Sequence, residues 1–211
     1  SQVRHLPGTP DRFMKGILSG MSYRFFGYSY QRQAYRDLAP DFGLNLDIRF
    51  RHSPFGEINA GNIFGIQSQL FLPGFAPNHS ISVYGAFQLA DPGDYRYANL
   101  ISISRGYTTI PFGEKLISWK AAYRLPLFYP DFQVVGLLYI KRVRANAFYD
   151  FTEVRESPGG GHFNAAGLDL ISDLHLFGLS TPVSAGIRSV YTFREATPVF
   201  GFLFSINFYE Y

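Results

Sequence analysis

Apolar and polar residues alternate with a period of two along most of this chain. Over residues 43–52, Leu44, Leu46, Ile48 and Phe50 share one face while Asn45, Asp47, Arg49 and Arg51 share the other. Residues 117–127 set Ile117, Trp119, Ala121, Tyr123 and Leu125 against Ser118, Lys120 and Arg124. Residues 143–151 set Val143, Ala145, Ala147 and Tyr149 against Arg144, Asn146 and Asp150, with Arg142 just before them on the same polar face. Near the end, Phe200, Phe202, Phe204, Ile206 and Phe208 alternate with Gly201, Leu203, Ser205 and Asn207. Such a pattern predicts strands whose two faces meet different media. Further strands are expected at residues 17–25, 64–72, 80–89, 95–103, 166–176, 183–193 and 199–209, which makes about ten in all. No helix and no domain linker is predicted, so residues 1–211 read as one domain.

The polar face is repeatedly the charged one. Taken together, parity assigns it Arg49, Arg51, Lys120, Arg124, Arg142, Arg144 and Arg188, with Asp47, Asp150, Asp169 and Asp173. The dry core of a sandwich could not hold so many charges. A sandwich could carry them on its outside, but a hydrated lumen explains why they recur on nearly every strand. Composition agrees with the lumen: 22 Phe, 15 Tyr and 21 Gly accompany alternating hydrophobicity, and no apolar run is long enough for a membrane helix. The predicted fold is therefore an all-β, antiparallel transmembrane β-barrel with aromatic girdles.

Charge and reactive residues narrow the chemistry. A net charge of +3 without a basic tract gives no footprint for nucleic acid. The absence of cysteine removes disulfide frameworks, thiolate metal sites and cysteine nucleophiles. His5, His52, His79, His162 and His175 are scattered without metal-ligand spacing, so no metal or cofactor is expected. His175 beside Asp173 is the one position from which an enzyme reading could start, and the expectation is that the chain is not an enzyme. The opening Ser1-Gln2-Val3-Arg4 predicts either a mature product or a piece of a longer protein. Counting back from the C-terminus puts residues 178–181, 129–131 and 90–94 on a periplasmic side with short turns. Residues 27–42, 73–78, 106–115, 152–161 and 194–197 then fall on the outer side, with Gly159-Gly160-Gly161 as a loop tip.

Arg105-Gly106-Tyr107 follows one predicted strand; Tyr123-Arg124-Leu125-Pro126-Leu127 and Ala147-Phe148-Tyr149-Asp150-Phe151 come after it, and five predicted strands lead to the C-terminus. In motif, order and strand count, most of residues 43–211 resembles the C-terminal half of the BamA-type (surface-antigen) outer-membrane assembly barrels. The runs from Pro126 to Asp131, from Leu138 to Arg144 and Phe148-Tyr149-Asp150 look closest to Bacteroidota envelope proteins that join a periplasmic propeller to such a barrel. The resemblance implies the bacterial outer membrane, a barrel of about sixteen strands with the earlier ones before Ser1, and an Arg-Gly-aromatic loop folded into the lumen. It also implies a terminal strand, with Gly201, Phe204, Ile206 and Phe208, that the assembly machinery reads. The implied function is insertion or passage of polypeptides, with lipid, client polypeptides and periplasmic or lipoprotein partners. Alternatives are a passive pore or solute channel, and a barrel-embedded lipid-modifying enzyme.

The loop motif has its own physical logic. A guanidinium leaving water must find a carboxylate, and Asp150 is inward by parity. Gly106 permits a tight turn, and Tyr107 supplies an aromatic wedge. Two positions depart from the family pattern, Ala122 where a strand Glu is common and Thr152 where a Gly is common, which leaves Asp150 as the main expected contact of Arg105.

Overall fold

The computed structural model describes residues 19–31, 38–55, 61–91, 93, 97–107, 110–134, 136–156, 159–176 and 181–206. Within them the chain is all β. The strands are β1 (Met21–Tyr30), β2 (Gly43–His52), β3 (Asn62–Pro73), β4 (Ser80–Asp91), β5 (Lys115–Phe128), β6 (Phe132–Val134), β7 (Leu138–Arg155), β8 (Gly161–Leu176), β9 (Pro182–Thr192) and β10 (Thr197–Ile206). They form one antiparallel sheet in the order β1-β2-β3-β4-β5-β7-β8-β9-β10, with β6 beside β7. The short β6 continues the lane of β5 along β7: Phe128 pairs with Val143 and Phe132 with Ile140. Pro126 cannot donate to the ladder, and the β5 to β7 register slips just after it.

The pairing registers carry the predicted parity across the sheet. Asp47 faces Gln67, Tyr84 faces Lys120, Lys120 faces Asp150, and Asp169 faces both Asn146 and Arg188, so the polar positions line one inner face. Phe200, Phe202 and Phe204 stand on the opposite face, 76%, 92% and 69% exposed. The polarity is inverted relative to a water-soluble domain: Asp47, Asp150, Asp169 and Asp173 are buried, while Leu44, Val83, Leu168 and Ile187 are exposed.

Two expectations are corrected. Residues 97–103 form no strand, and Tyr95 itself lies outside the described residues. Leu100 and Ile101 are adjacent and both buried, and the segment's amides bond side chains instead of a neighbouring ladder. Losing that strand reverses the parity of every earlier connection. The β2 to β3, β4 to β5, β7 to β8 and β9 to β10 connections share one end of the sheet, here the latch end. The β1 to β2, β3 to β4, β5 to β7 and β8 to β9 connections share the other, the far end. The β4 to β5 connection therefore leaves the sheet at the end opposite to the β8 to β9 connection, whereas the β1 to β2 and β3 to β4 connections lie at the same end as the latter, contrary to the expected sides. The predicted starts at Ile17 and ends at Tyr209 fall outside the described residues, and β1 runs on to Tyr30.

The sheet is not closed, since β1 pairs only with β2 and β10 only with β9. With nine long strands in an antiparallel order, β1 and β10 run in the same direction. Joining them directly would create a parallel pair in an otherwise antiparallel sheet.

Close packing between β8 and β9 gives a direct check of the register. A Cβ on Gly186 would lie 2.2 Å from the Leu170 carbonyl oxygen, whereas one on Gly201 would meet nothing within 4 Å. Gly186→Ala is expected to destabilise the folded chain in detergent by about 1–3 kcal/mol, and Gly201→Ala to leave the urea unfolding midpoint unchanged.

Candidate functional site

Between β4 and β5, residues 97–107 cross the inner face as a strap. Its backbone donors are satisfied by side chains of the wall rather than by a ladder. The Leu100 amide donates to Gln88 Oε1 at 2.7 Å, Ser102 to the Tyr84 hydroxyl at 2.9 Å, Ser104 to Thr152 Oγ1 at 3.0 Å and Arg105 to Asp150 Oδ2 at 3.0 Å. Lys120 Nζ donates to the Ile103 carbonyl at 2.7 Å. A peptide leaving water must have its polar groups met, and here five residues of β4, β5 and β7 meet them.

Arg105 ends the strap. Its Nε and Nη2 donate to the two Asp150 carboxylate oxygens, each at 2.7 Å, and its guanidinium lies 3.5 Å from the Phe148 ring centroid. Asp150 is 0% exposed. The fork geometry and the backbone amide together give this desolvated carboxylate three donors. Gly106 follows at φ +86°, and a Cβ there would lie 2.8 Å from Val190 and 2.9 Å from Thr192. Only glycine turns the chain at so close an approach without strain. Tyr107 is buried edge-on against Phe163, its hydroxyl donating to the Asn164 carbonyl at 2.7 Å. The structure thus brings Arg105, Gly106, Tyr107 and Asp150 into one constellation.

Thr152 and Ala122 have structural roles of their own. Thr152 is the hinge of a hydroxyl cluster, with Oγ1 2.8 Å from Ser104 Oγ and 3.1 Å from Ser118 Oγ, while Ser104 Oγ donates to the Phe163 carbonyl. Ala122 packs against the apolar cluster of Ile101, Tyr107, Leu116, Phe148, Val154, Phe163 and Val190 under the strap. On β5, β7, β8 and β9 the inner face is accordingly apolar and covered towards the latch end and charged towards the far end.

There the predicted lumen charges sort into networks. Asp173 accepts from Arg142, from Arg144 at 3.1 Å and from Ser184 at 2.7 Å. Asp169 accepts from Arg188 at 2.7 and 2.9 Å and from Asn146 at 3.0 Å. At the other edge, Asp47 gathers Arg24, Arg49 and Gln67, and Arg51 reaches Ser22. Arg124 lies 5.8 Å from the Phe71 ring centroid, and Lys120 also donates to Ser102 Oγ. His175 packs its ring on Tyr139, and Ser184 bonds Asp173 rather than a histidine. Among the described residues, no group of three His, Cys, Asp or Glu could hold a metal ion. In the terminal strand Phe204 and Ile206 face outward and Gly201 inward; Phe208 lies outside the described residues.

Comparison with protein-family models, curated proteins and solved structures finds no match to this chain. The site therefore rests on its own geometry. Sequence reasoning missed Gln88, Tyr84, Ser104 and Thr152, whose roles depend on which strands the strap crosses. It also missed Arg24, which the register of β1 on β2 pairs with Arg49 beside Asp47.

Removing Arg105 leaves a buried carboxylate short of its donors, so Arg105→Ala is expected to destabilise the latched state by about 3–5 kcal/mol. Limited proteolysis should then cut within residues 97–112 faster than in the parent, and unchanged cleavage would contradict the latch. Thr152→Val should cost about 1–3 kcal/mol through the orphaned Ser104 amide, detectable as faster amide exchange at that position.

Proposed function

We propose that this chain is part of the wall of a bacterial outer-membrane β-barrel of the BamA-like assembly or translocation kind. The single observation that carries the reading is the inverted polarity of the sheet: buried carboxylates and guanidiniums on the strapped face, and exposed Phe200, Phe202, Phe204, Ile187 and Leu168 on the other. A lipid-facing wall requires that inversion, and a water-soluble sheet does not. Strand length supports it, since β5, β7 and β8 exceed the roughly 9–11 residues that cross a bilayer. The parallel direction of β1 and β10 supports a larger barrel. An all-antiparallel ring has an even number of strands, so an odd number of further strands would stand between these two edges.

Within such a barrel the strap would close the latch-end half of the lumen, which favours the assembly kind over an open conduit. Mechanical work would fall to the β10 edge, where a weakly paired seam admits client strands. The basic excess on the inner wall favours a second reading, a charge-selective channel.

Membrane placement is tested at Ile187. Ile187→Arg should cost about 2–4 kcal/mol in folding into bilayers if that face meets lipid, against within about 0.5 kcal/mol if it meets water. The functional choice is tested by depletion of the protein in cells: falling levels of other outer-membrane barrels, with purified protein that conducts no ions, support assembly. Ion-selective conductance without that loss supports the channel.

A further inference from the structure

A polar cavity of about 290 Å³ lies on the inner face beside the strap, over β3, β4, β5 and β7. It occupies the middle of the sheet, so strands added at β1 or β10 would not fill it. Arg105, Lys120 and Arg124 line it, and no carboxylate does. Arg105 is answered by Asp150. Lys120 donates to neutral acceptors, Ser102 Oγ at 2.6 Å and the Ile103 carbonyl at 2.7 Å. Arg124 forms neither an ion pair nor a hydrogen bond among the described residues, and its guanidinium has only the Phe71 ring, 5.8 Å away.

Neutral groups complete the lining. Ser82, 5% exposed, and the side-chain amide of Gln69 have no hydrogen-bond partner among the described residues. Asn146, 7% exposed, turns its Nδ2 to Asp169 at 3.0 Å and holds an Oδ1 that has no donor. Register makes these groups neighbours. Ser82 stands opposite Ala122, which lies between Lys120 and Arg124 on the inner face, and Arg124 stands opposite Asn146. The methyl group of Ala122 leaves the space between the two cations open. Unmatched positive charge and a free hydroxyl call for an anion, and the open Oδ1 calls for a donor on that same anion.

We propose that this cavity binds one hydrogen phosphate ion, its oxygens accepting from Arg124, Lys120 and Ser82 and its protonated oxygen donating to Asn146 Oδ1. A guanidinium matches phosphate in charge and in fork geometry, and an ammonium adds a point charge. The cavity has room for several waters beside the anion, at roughly 30 Å³ each. Sulfate carries no proton at neutral pH, and a phosphate monoester there is largely the unprotonated dianion. Both therefore lack the donor that Asn146 requires. Because Lys120 also holds Ser102 and Ile103, the bound ion joins strap and wall. The site depends only on the strap and the strands beneath it, and it holds for either function proposed above.

The test is calorimetric titration of the full-length protein, folded in neutral detergent, with inorganic phosphate at neutral pH and constant ionic strength. The expected result is one saturable site per chain, with a Kd of about 1 mM or tighter. Arg124→Gln orphans no partner and should weaken binding about tenfold or more, the scale of one charge-assisted hydrogen bond. Ser82→Asp, which places a carboxylate in the cavity, should abolish it. Arg51→Gln removes the same charge elsewhere on the inner face and should leave the Kd within about twofold. Sulfate and glycerol 3-phosphate should each bind about threefold or more weakly than phosphate. No saturable binding by the parent, full binding by either cavity variant, or an equal loss in Arg51→Gln would overturn the site. Sulfate or glycerol 3-phosphate binding as tightly as phosphate would overturn the assignment to hydrogen phosphate.

Discussion

A carboxylate cut off from water must be given donors, and Asp150, fully buried, receives three of them from a single residue. Its inward direction towards the latch end of β7, facing Lys120 across the ladder, is set by strand parity. Its satisfaction is not: both side-chain bonds and the amide bond come from Arg105, more than forty residues earlier in the chain. The path of residues 97–107 follows from this one requirement. With Arg105 fixed, the strap lies across β4, β5 and β7, where Gln88, Tyr84, Lys120 and Thr152 meet its remaining polar groups.

The inner face is consequently two surfaces in series. Beneath the strap, Leu116, Val154, Phe163 and Val190 pack with Ile101 and Tyr107 as an ordinary apolar core. Beyond it the wall is a lattice of arginines spaced around Asp169 and Asp173. The Arg105 to Asp150 pair stands where one gives way to the other. An ion pair is well suited to that border, since one member is fully buried and the other retains some contact with the wet side.

Much of the sheet was legible because a two-residue period with one charged face has few alternatives. Residues 43–52 were delimited as the structure has them, and Leu44 to Phe50 stand opposite Asn45 to Arg51 as read. Arg105 and Asp150 could be paired because the resemblance folded the Arg105 loop into the lumen; charge and parity alone would have left Asp47, Asp169 and Asp173 equally eligible. The strap could not be recognised as such, because a segment whose amides bond side chains of several strands presents the same local pattern as one that bonds a neighbouring ladder. Leu100 next to Ile101 was the one visible break in that pattern. β6 escaped notice for a different reason: three residues after Pro130 carry too little periodicity to register. The roles of Thr152 and Ala122 were illegible because both depend on what lies above them rather than on their own strand.

The common direction of β1 and β10 limits how the two edges can meet. Among the described strands, two edges that pointed in opposite directions could meet as one more antiparallel pair of the sheet. β1 and β10 could meet only as a parallel pair, with slanted hydrogen bonds unlike any other in this ladder. Direction alone, independent of the side chains that either edge carries, therefore disfavours their direct union.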